Sequence, residues 1–375
     1  MSNRVKELDS FGQSIWLDNI NRNLFSSGEL KKLIDLGLLG MTSNPTIFDN
    51  AISKSDDYDK DILELSRQGK STFEIYDELT VKDIQHAADM LMVVYNDTNG
   101  LDGYVSLEVN PKLAGNSEET IKEIKRLFRK VDRRNLMFKV PATKEGFPVI
   151  EQMISEGINI NATLLFSVSQ YENTAKAYIE GLKDLKGKSL KDVASVASVF
   201  VSRIDTAVDK KLDEFLSKET DEGKRTKLKS LKGKAAVANT KLMYQKFEKI
   251  FNGAEFKKLA EKGARAQRPL WASTSTKNPE YSDTKYVTEL IGKNTVNTLP
   301  DNTLYAFLDH GKIKEAITSD IEEAKKVIAE LKSFGIDIDD VCRKLLLDGV
   351  SAFVRSFDSL LSSIEEKASR LKEKK

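Results

Sequence analysis

Short apolar, β-branched stretches alternate with longer segments of helical period along most of the chain. Eight of these stretches predict strands: SIWLDNI (14–20), LGMTSNP (39–45), GYVSLEV (103–109), LMFKVPA (136–142), NINATLLF (159–166), SVASVFVS (195–202), RPLWAST (268–274) and NTVNTL (294–299). Strands that alternate with helices are typical of βα units around a parallel sheet. Eight such units over about 250 to 300 residues match the size of a (β/α)8 TIM barrel. The pattern therefore predicts an α/β fold of that class.

The segments between the strands carry signals for helix ends. SSGELKKLIDLG (26–37) opens on serines and stops at Gly37. NSEETIKEIKRLFRKV (116–131) opens on Asn and Ser and has acidic residues in its first turn. The charge-dense stretch SKETDEGKRTKLKSLKGK (217–234) predicts a solvated helix extension or a surface insertion.

After His310 the pattern is helical. DIEEAKKVIAELKSFG (320–335) and the run from 339 to 375 predict one or two helices packed on the barrel, across its mouth or its side, with a basic tail. We therefore divide the chain into a barrel domain, residues 1–310, and a C-terminal helical extension, residues 311–375. A small separate domain is the alternative.

Charge and composition narrow the classes of partner and site. The 59 basic side chains against 58 acidic ones leave a formal charge of +1, whereas a duplex-binding protein normally has a basic excess on one face. Nucleic acid is therefore not an expected partner. Cys342 is the only cysteine, which excludes an intramolecular disulfide and a thiolate cluster and fits a reducing compartment. His86 and His310, the only histidines, are too far apart along the chain to suggest a metal site.

The opening residues, MSNRVKELDSFGQ, lack the apolar core of a signal peptide. No run approaches the roughly 20 apolar residues that span a bilayer. We expect a soluble, cytoplasmic protein with no membrane partner. The exterior helices leave both a monomer and a homodimer of C2 symmetry open.

A single lysine interrupts the apolar run NLMFKVPAT (135–143), where an ammonium group is costly to bury. Side chains of a barrel strand alternate between the helix layer and the interior. Lys139 falls on the face opposite its apolar neighbours and is therefore predicted to point inward. The same alternation sends polar side chains of three other strands inward: Asp18, Glu108, Asn161 and Thr163.

A lysine near carboxylates in a closed interior can be a nucleophile. Desolvation disfavours the charged form of Lys139, and a neutral amine attacks carbonyl carbon to give a Schiff base. The imine of a ketose activates the C3–C4 bond, and carboxylates in unequal environments, such as Asp18 and Glu108, can divide the acid and base steps. The alternative is structural, because such a lysine can also snorkel at a sheet edge or form an ion pair.

Seven segments form an ordered series of motifs: WLDNINR (16–22), GMTSNPTIF (40–48), VSLEVNP (105–111), MFKVPAT (137–143), NATLLFS (161–167), SVFVSRID (198–205) and WASTSTKNP (271–279). Together they resemble transaldolases, in the longer bacterial subfamily of the class I Schiff-base aldolase superfamily. The resemblance implies a (β/α)8 barrel transferase of carbohydrate metabolism with no metal and no organic cofactor. It also implies transfer of a dihydroxyacetone unit from sedoheptulose 7-phosphate or fructose 6-phosphate to glyceraldehyde 3-phosphate or erythrose 4-phosphate, in the non-oxidative pentose phosphate pathway.

The resemblance implies a role for each catalytic residue. Lys139 matches the Schiff-base lysine, and Asp18 matches the aspartate that handles the proton of the C4 hydroxyl. Glu108 matches a glutamate that works through a bound water, and Thr163 matches the threonine that orients this water.

Further positions match substrate-binding residues of these enzymes. Asn44 and Asn161 match positions that hydrogen-bond the substrate hydroxyls, and Ser198 matches a serine near the C1 hydroxyl. For each asparagine a turn or strand-end role is the alternative, since Asn44 and Pro45 also make a good turn initiator.

The phosphate of the substrate should lie at the rim of the barrel, where a dianion needs several donors or cations. Arg203 matches the first phosphate arginine. Relatives commonly have serine-phenylalanine-arginine after strand seven, whereas this chain has ASTSTKN, which is two residues longer, so Ser273 matches the serine and Lys277 stands in for the arginine. Arg268 is the alternative candidate for this second cation, although its place at the start of a strand favours a structural role at the other end of the barrel.

Two positions separate the transferases from the related fructose 6-phosphate aldolases, which have glutamine in place of Glu108 and tyrosine in place of Phe200. A phenylalanine cannot donate a proton, which favours keeping the intermediate for an aldehyde acceptor. The chain resembles the transferases at both positions. An aldolase-type lyase and a barrel that binds sugar phosphates without catalysis are the alternatives.

Overall fold

The computed structural model describes residues 3–373. Eight strands in this range pair in parallel, in chain order, and close into a barrel. They are β1 Gln13–Leu17, β2 Gly40–Thr42, β3 Tyr104–Glu108, β4 Leu136–Pro141, β5 Ile160–Leu165, β6 Ser195–Phe200, β7 Arg268–Ala272 and β8 Thr295–Leu299. Each strand lies within or beside its predicted stretch, so the predicted (β/α)8 barrel is confirmed.

Seventeen α-helices between residues 3 and 373 surround the barrel. The first eight are α1 Arg4–Ser10, α2 Arg22–Ser26, α3 Glu29–Asp35, α4 Pro45–Ser53, α5 Asp59–Arg67, α6 Thr72–Asp97, α7 Ser117–Val131 and α8 Gly146–Ser155. The others are α9 Val168–Lys183, α10 Ser202–Leu216, α11 Glu222–Leu231, α12 Ala235–Phe251, α13 Ala254–Ala260, α14 Lys285–Thr288, α15 Asp301–His310, α16 Ile321–Ser333 and α17 Ile338–Glu373. Two short 3-10 helices, Pro111–Leu113 and Leu190–Asp192, complete the set.

Helix ends mostly follow the predicted signals. The side chain of Asn116 caps α7 by accepting a hydrogen bond from the amide of Glu119 at 3.1 Å. The segment predicted as one helix over 26–37 is different, because α2 ends at its first residue and α3 starts three residues later. Gly28 separates the two helices at a φ of 75°, in the left-handed region that favours glycine. The charged stretch 217–234 contains the largely exposed helix α11, as predicted.

A buried ion pair occupies the N-terminal end of the barrel interior. The guanidinium group of Arg268, at the start of β7, lies 2.9 Å from the carboxylate of Asp102. Ser14 and Trp16 of β1 donate hydrogen bonds to the same carboxylate, both at 2.8 Å. Arg268 therefore has the structural role expected of it, away from the C-terminal strand ends where barrel enzymes carry their catalytic groups.

The long helix α17 lies across the C-terminal mouth of the barrel, where it packs mainly against α4, α5, α6 and α10. Polar contacts connect it to α4, since Thr46 donates to Ser356 at 2.8 Å and Asp49 accepts from Ser359 at 2.8 Å. One or two helices were predicted after His310, and the structure has two there, α16 and α17. The division of the chain at that point stays a prediction, and the end of the basic tail, 374–375, lies outside the described residues.

Within the described range, no helix is both long enough and apolar enough to cross a membrane. This includes α17, which has 36 residues.

Candidate active site

A cavity of about 450 Å³ opens where the strands end at the C-terminal mouth. Catalytic side chains of TIM-barrel enzymes gather at this end. Eight of the predicted site residues line the cavity: Asp18, Asn44, Lys139, Ser198, Phe200, Arg203, Ser273 and Lys277. The other three, Glu108, Asn161 and Thr163, are buried in the strands next to it. The structure thus brings the predicted set together around one opening.

Lys139 occupies the middle of β4 and its side chain is only 6% exposed. Its Nζ donates a hydrogen bond to the carbonyl oxygen of Ser43 at 3.0 Å. The same nitrogen lies 3.2 Å from Oε2 of Glu108, the residue paired with Lys139 in the β3–β4 register. The lysine in the apolar run is therefore held by a buried carboxylate and a carbonyl, with its amine at the cavity.

Glu108 ends β3 and is buried. Burial raises the pKa of its carboxyl group to about 6, although the charge of Lys139 acts in the opposite direction. Within residues 3–373, the only partner of Oε2 of Glu108 is the amine of Lys139. Oγ1 of Thr163 has no hydrogen-bond partner in that range. Buried polar atoms are normally paired, so the hydroxyl of Thr163 can form a hydrogen bond with a molecule that enters the site.

Asp18 follows β1 directly and faces the cavity. The hydroxyl of Thr42 donates to its Oδ1 at 2.7 Å. Since that hydroxyl has one proton, Thr42 accepts from the hydroxyl of Thr298 at 2.7 Å. Burial raises the pKa of Asp18, and the charge of Lys139 opposes this shift. Sequence reasoning missed both threonines, although strand alternation alone could have shown that they face inward.

Asn161 is fixed by two hydrogen bonds inside the barrel. Its Nδ2 donates to the hydroxyl of Ser106 at 3.0 Å, and its Oδ1 accepts from the hydroxyl of Ser198 at 2.6 Å. Further along β5 the pairing with β6 shifts between Ala162 and Leu165. Bulges of this kind redirect side chains next to active sites.

Asn44 fits both roles that the sequence suggested. Its Oδ1 accepts a hydrogen bond from the amide of Ile47 at 3.0 Å, so it caps α4, with Pro45 as the first helical residue. The side chain also lines the cavity. The cap uses the oxygen only, so the amide nitrogen of Asn44 remains a donor for a ligand.

The far side of the cavity is cationic. Arg203 is the second residue of α10, and its guanidinium carbon lies 5.1 Å from the ring centroid of Phe200. Burial lowers the pKa of Arg203, and no carboxylate in the described part of the chain opposes this effect. Lys277 donates to the hydroxyl of Ser275 at 2.6 Å. Neither cation forms a salt bridge with an acidic side chain of residues 3–373, and two such cations at a cavity favour an anionic ligand.

Ser273 connects the two cationic segments. Its hydroxyl lies 3.1 Å from that of Ser202, the first residue of α10. Its φ of 54° places a non-glycine residue in the left-handed region, which costs of order 1–3 kcal/mol and tends to occur at functional sites.

No group of three or more His, Cys, Asp or Glu side chains in the described range is arranged to hold a metal ion. The groups that meet at the cavity are instead an amine, two carboxyl groups, several hydroxyls and two cations.

A TIM barrel with a buried lysine amine beside a carboxylate, and with cations at the rim, defines a class of enzyme that works through a lysine Schiff base. The chain belongs to the transaldolase/fructose-6-phosphate aldolase family, whose model matches residues 15–364. The resemblance seen in the sequence motifs is thus confirmed.

Curated relatives match over nearly their whole length. A protein named "Transaldolase" from Trichodesmium erythraeum is 50% identical over 376 aligned residues, which cover 99% of each chain. "Transaldolase 2" from Nostoc sp. is 46% identical over 98% of each chain. "Transaldolase" from Saccharopolyspora erythraea is 44% identical over 99% of each chain.

Proposed function

We propose that this chain is a transaldolase that transfers a dihydroxyacetone unit through a Schiff base on Lys139. The donor is a ketose phosphate, sedoheptulose 7-phosphate or fructose 6-phosphate, and the acceptor is an aldose phosphate, glyceraldehyde 3-phosphate or erythrose 4-phosphate. This reaction belongs to the non-oxidative pentose phosphate pathway. The observation that carries the proposal is the amine of Lys139 at the cavity, 3.2 Å from Glu108. The full-length relatives named transaldolase support it.

Binding begins with the phosphate of the donor at the cationic side. Arg203 offers a planar fork of donors, and Lys277 adds a point charge without that fork. Ser273 supplies a hydroxyl between them. Held in this way, the sugar extends towards Lys139, with Asn44 and Ser198 beside its hydroxyl groups.

Imine formation takes place at the ketone carbon C2. The neutral amine of Lys139 adds to C2, and the carbinolamine then loses water to give the imine. Glu108 moves the protons of these steps through a water molecule, which Thr163 orients. The unpaired Oγ1 of Thr163 supports this arrangement. A carboxyl group with a pKa of about 6 can both give and take a proton near neutral pH.

Cleavage takes place at the C3–C4 bond. Asp18 removes the proton of the C4 hydroxyl, the bond breaks, and its electron pair moves through C3 and C2 to the imine nitrogen. The aldose fragment leaves and an enamine remains on Lys139. The acceptor aldehyde reacts with C3 by the reverse of these steps, and hydrolysis of the new imine releases the product ketose.

The lyase alternative differs from transfer in the reaction of the enamine. A lyase must protonate C3 and release dihydroxyacetone. Phe200 lines the cavity and has no proton to give. Glu108 is an acid, whereas the related aldolases have glutamine at its position. Both features, together with the names of the relatives, favour transfer.

The test is borohydride trapping with fructose 6-phosphate. We expect mass spectrometry to find the reduced three-carbon adduct on the peptide that contains Lys139, together with transfer to erythrose 4-phosphate in a coupled assay. Binding of the sugar without an adduct would support the non-catalytic barrel. Adduct formation with release of dihydroxyacetone, and no transfer, would support the lyase.

We further propose a cytoplasmic location, because the single cysteine fits a reducing compartment. A homodimer stays a prediction, which a molar mass measured by light scattering in solution will test against the 42.1 kDa of one chain.

A further inference from the structure

The C-terminal helix α17 brings an aromatic side chain to the cavity. Phe353 is buried and lines the cavity, and the centroid of its ring lies 5.9 Å from Nζ of Lys139. Its ring also lies 6.4 Å from that of Phe200 in an edge-to-face arrangement, and Phe200 lies 5.5 Å from Phe166. Phe353 and Phe200 form an apolar wall of the cavity, and Phe166 packs behind Phe200. No proton donor is present in any of these side chains.

The helix α17 lies close to the barrel at Gly349, which precedes Phe353 by one helical turn. A Cβ atom at this position would lie 3.0 Å from Cδ2 of Leu164 and 3.8 Å from Nη1 of Arg203. Residues four apart lie on the same face of a helix. Gly349 and Phe353 therefore both face the barrel, the first in contact with its rim and the second over the cavity.

The docking of α17 has other anchors. Phe357 packs against Phe73 and Tyr76 at ring distances of 6.5 and 5.1 Å. Lys367 donates to the carbonyl of Ile52 at 2.9 Å and forms an ion pair with Asp59. Phe353 is thus one of several contacts that hold the helix, and the one that reaches the reacting nitrogen.

We propose that Phe353 determines the fate of the covalent intermediate, because its ring shields the Schiff base from water and so favours transfer over release. This inference rests on the proposed function and deepens it. Closed sites protect reactive intermediates from hydrolysis in this way. The ring face also lies within the distance at which an aromatic ring attracts a cation, and the iminium form of Lys139 is a cation.

The two fates differ in one step. Release requires that the enamine take a proton from water at C3. A second water then adds to C2 of the resulting imine, the C2–N bond breaks, and dihydroxyacetone and the free amine of Lys139 are formed. In transfer, C3 instead forms a bond to the aldehyde carbon and the aldehyde oxygen takes the proton. In both routes, water from the side of Glu108 hydrolyses the imine at C2. The wall of rings therefore mainly slows the protonation of C3 by water, which only release requires.

The test compares free dihydroxyacetone with transferred product at saturating fructose 6-phosphate and a fixed concentration of erythrose 4-phosphate. In Phe353→Ala we expect the ratio of release to transfer to rise about tenfold, in line with loss of a desolvated cation–aromatic contact and of the water shield. Phe353→Leu keeps the apolar surface and should give a smaller rise. Phe357→Leu, one turn further along α17 and outside the cavity, should keep the wild-type ratio.

Borohydride trapping on each variant separates the inference from the proposed function. An adduct on the Lys139 peptide with an unchanged ratio in Phe353→Ala overturns the inference and leaves the proposed function standing. Equal rises in Phe353→Ala and Phe357→Leu also overturn it, because helix docking would then be the cause. Absence of the adduct in the wild-type protein overturns both. If thermal unfolding shows that Phe353→Ala is not folded, Phe353→Leu decides, and a wild-type ratio in it overturns the inference.

Discussion

The amine of Lys139 lies 3.2 Å from the carboxylate of Glu108, and the two residues are directly paired between β4 and β3. Burying such a pair removes two charges from water, and the attraction between them often does not repay this cost. The pair is therefore a weak source of stability. Its position at the cavity indicates a role in chemistry. Strand register holds the pair there, because a slip of one residue in either strand would turn the side chain of that strand to the helix layer.

Replacement of the amine is the most direct prediction. Lys139→Ala should abolish both the borohydride adduct and turnover, with a loss of at least roughly 10⁴-fold in kcat, because Lys139 carries the amine that is buried beside Glu108, whereas Lys277 belongs to the proposed phosphate site. The circular dichroism spectrum should match that of the wild type. Lys112→Ala is the control, since Lys112 pairs with Asp358 on α17 at 2.5 Å, outside the cavity. Turnover that survives in Lys139→Ala would exclude the Schiff-base route through this residue.

The carboxyl group of Glu108 should make stability depend on pH. Its pKa is about 6 in the folded protein and 4.5 ordinarily, so the folded state binds the proton more tightly than the unfolded state. Its contribution to the free energy of unfolding is present below pH 4.5 and is lost as pH rises through 6, by about 2 kcal/mol. The difference in free energy of unfolding between wild type and Glu108→Gln, from urea titrations, should shift by that amount across this range. A constant difference would show that Glu108 titrates normally.

The same group should appear in the activity profile. If ionised Glu108 accepts protons through a water, kcat/KM of the wild type should fall below about pH 6. Glu108→Gln should be slower at every pH and should lose this limb. An acid limb that remains in the variant would have to come from another group, such as Asp18.

Asp18 should matter for bond cleavage more than for imine formation. Asp18→Ala removes the base for the C4 hydroxyl and leaves Lys139 and Glu108 in place, so we expect kcat to fall by about 10²- to 10⁴-fold. Borohydride should then trap the uncleaved six-carbon adduct of fructose 6-phosphate. Thr298→Val, which removes the hydroxyl that donates to Thr42, is the milder comparison. A three-carbon adduct formed at the wild-type rate in Asp18→Ala would contradict the role assigned to Asp18.

Strand alternation predicted much of the cavity, because in a closed barrel it decides which side chains face inward. Lys139 and Glu108 lie on the predicted face for this reason. The break at Gly28 was visible as a glycine in a helical pattern, but whether a helix continues through such a residue depends on the contacts around it. Here α2 ends at Ser26 and α3 begins at Glu29.

The contribution of α17 to the cavity could not be predicted. The apolar positions of α17 predict a packed helix, and nothing local to Phe353 indicates which face meets the mouth of the barrel. That choice depends on Gly349 and on the shape of the rim near Leu164. Lys277 was predicted to replace the phosphate arginine, but its exact position was undecided because its loop is longer than in relatives. The fold brings it to the cavity.

The two arginines near β6 and β7 should respond in opposite ways to substitution. Arg203 faces the cavity without an acidic partner in the described chain, so Arg203→Gln should raise KM for fructose 6-phosphate roughly 10- to 100-fold. Its effect on activity with fructose, a donor without a phosphate, should be small, and the melting temperature should change little. Arg268 is buried against Asp102 at 2.9 Å, so Arg268→Met should lower the free energy of unfolding by about 3–5 kcal/mol.

The activity of the folded protein distinguishes the binding role of Arg203 from the structural role of Arg268. In Arg268→Met, kcat/KM per folded molecule should stay close to that of the wild type, because Arg268 lies at the start of β7, at the end of the barrel opposite the cavity. Urea titration measures the loss of stability, and initial rates with phosphorylated and unphosphorylated donors measure the effect on binding. Equal losses of activity with both donors in Arg203→Gln would show that this residue does not bind the phosphate. Lys277 would then be the cation that binds it.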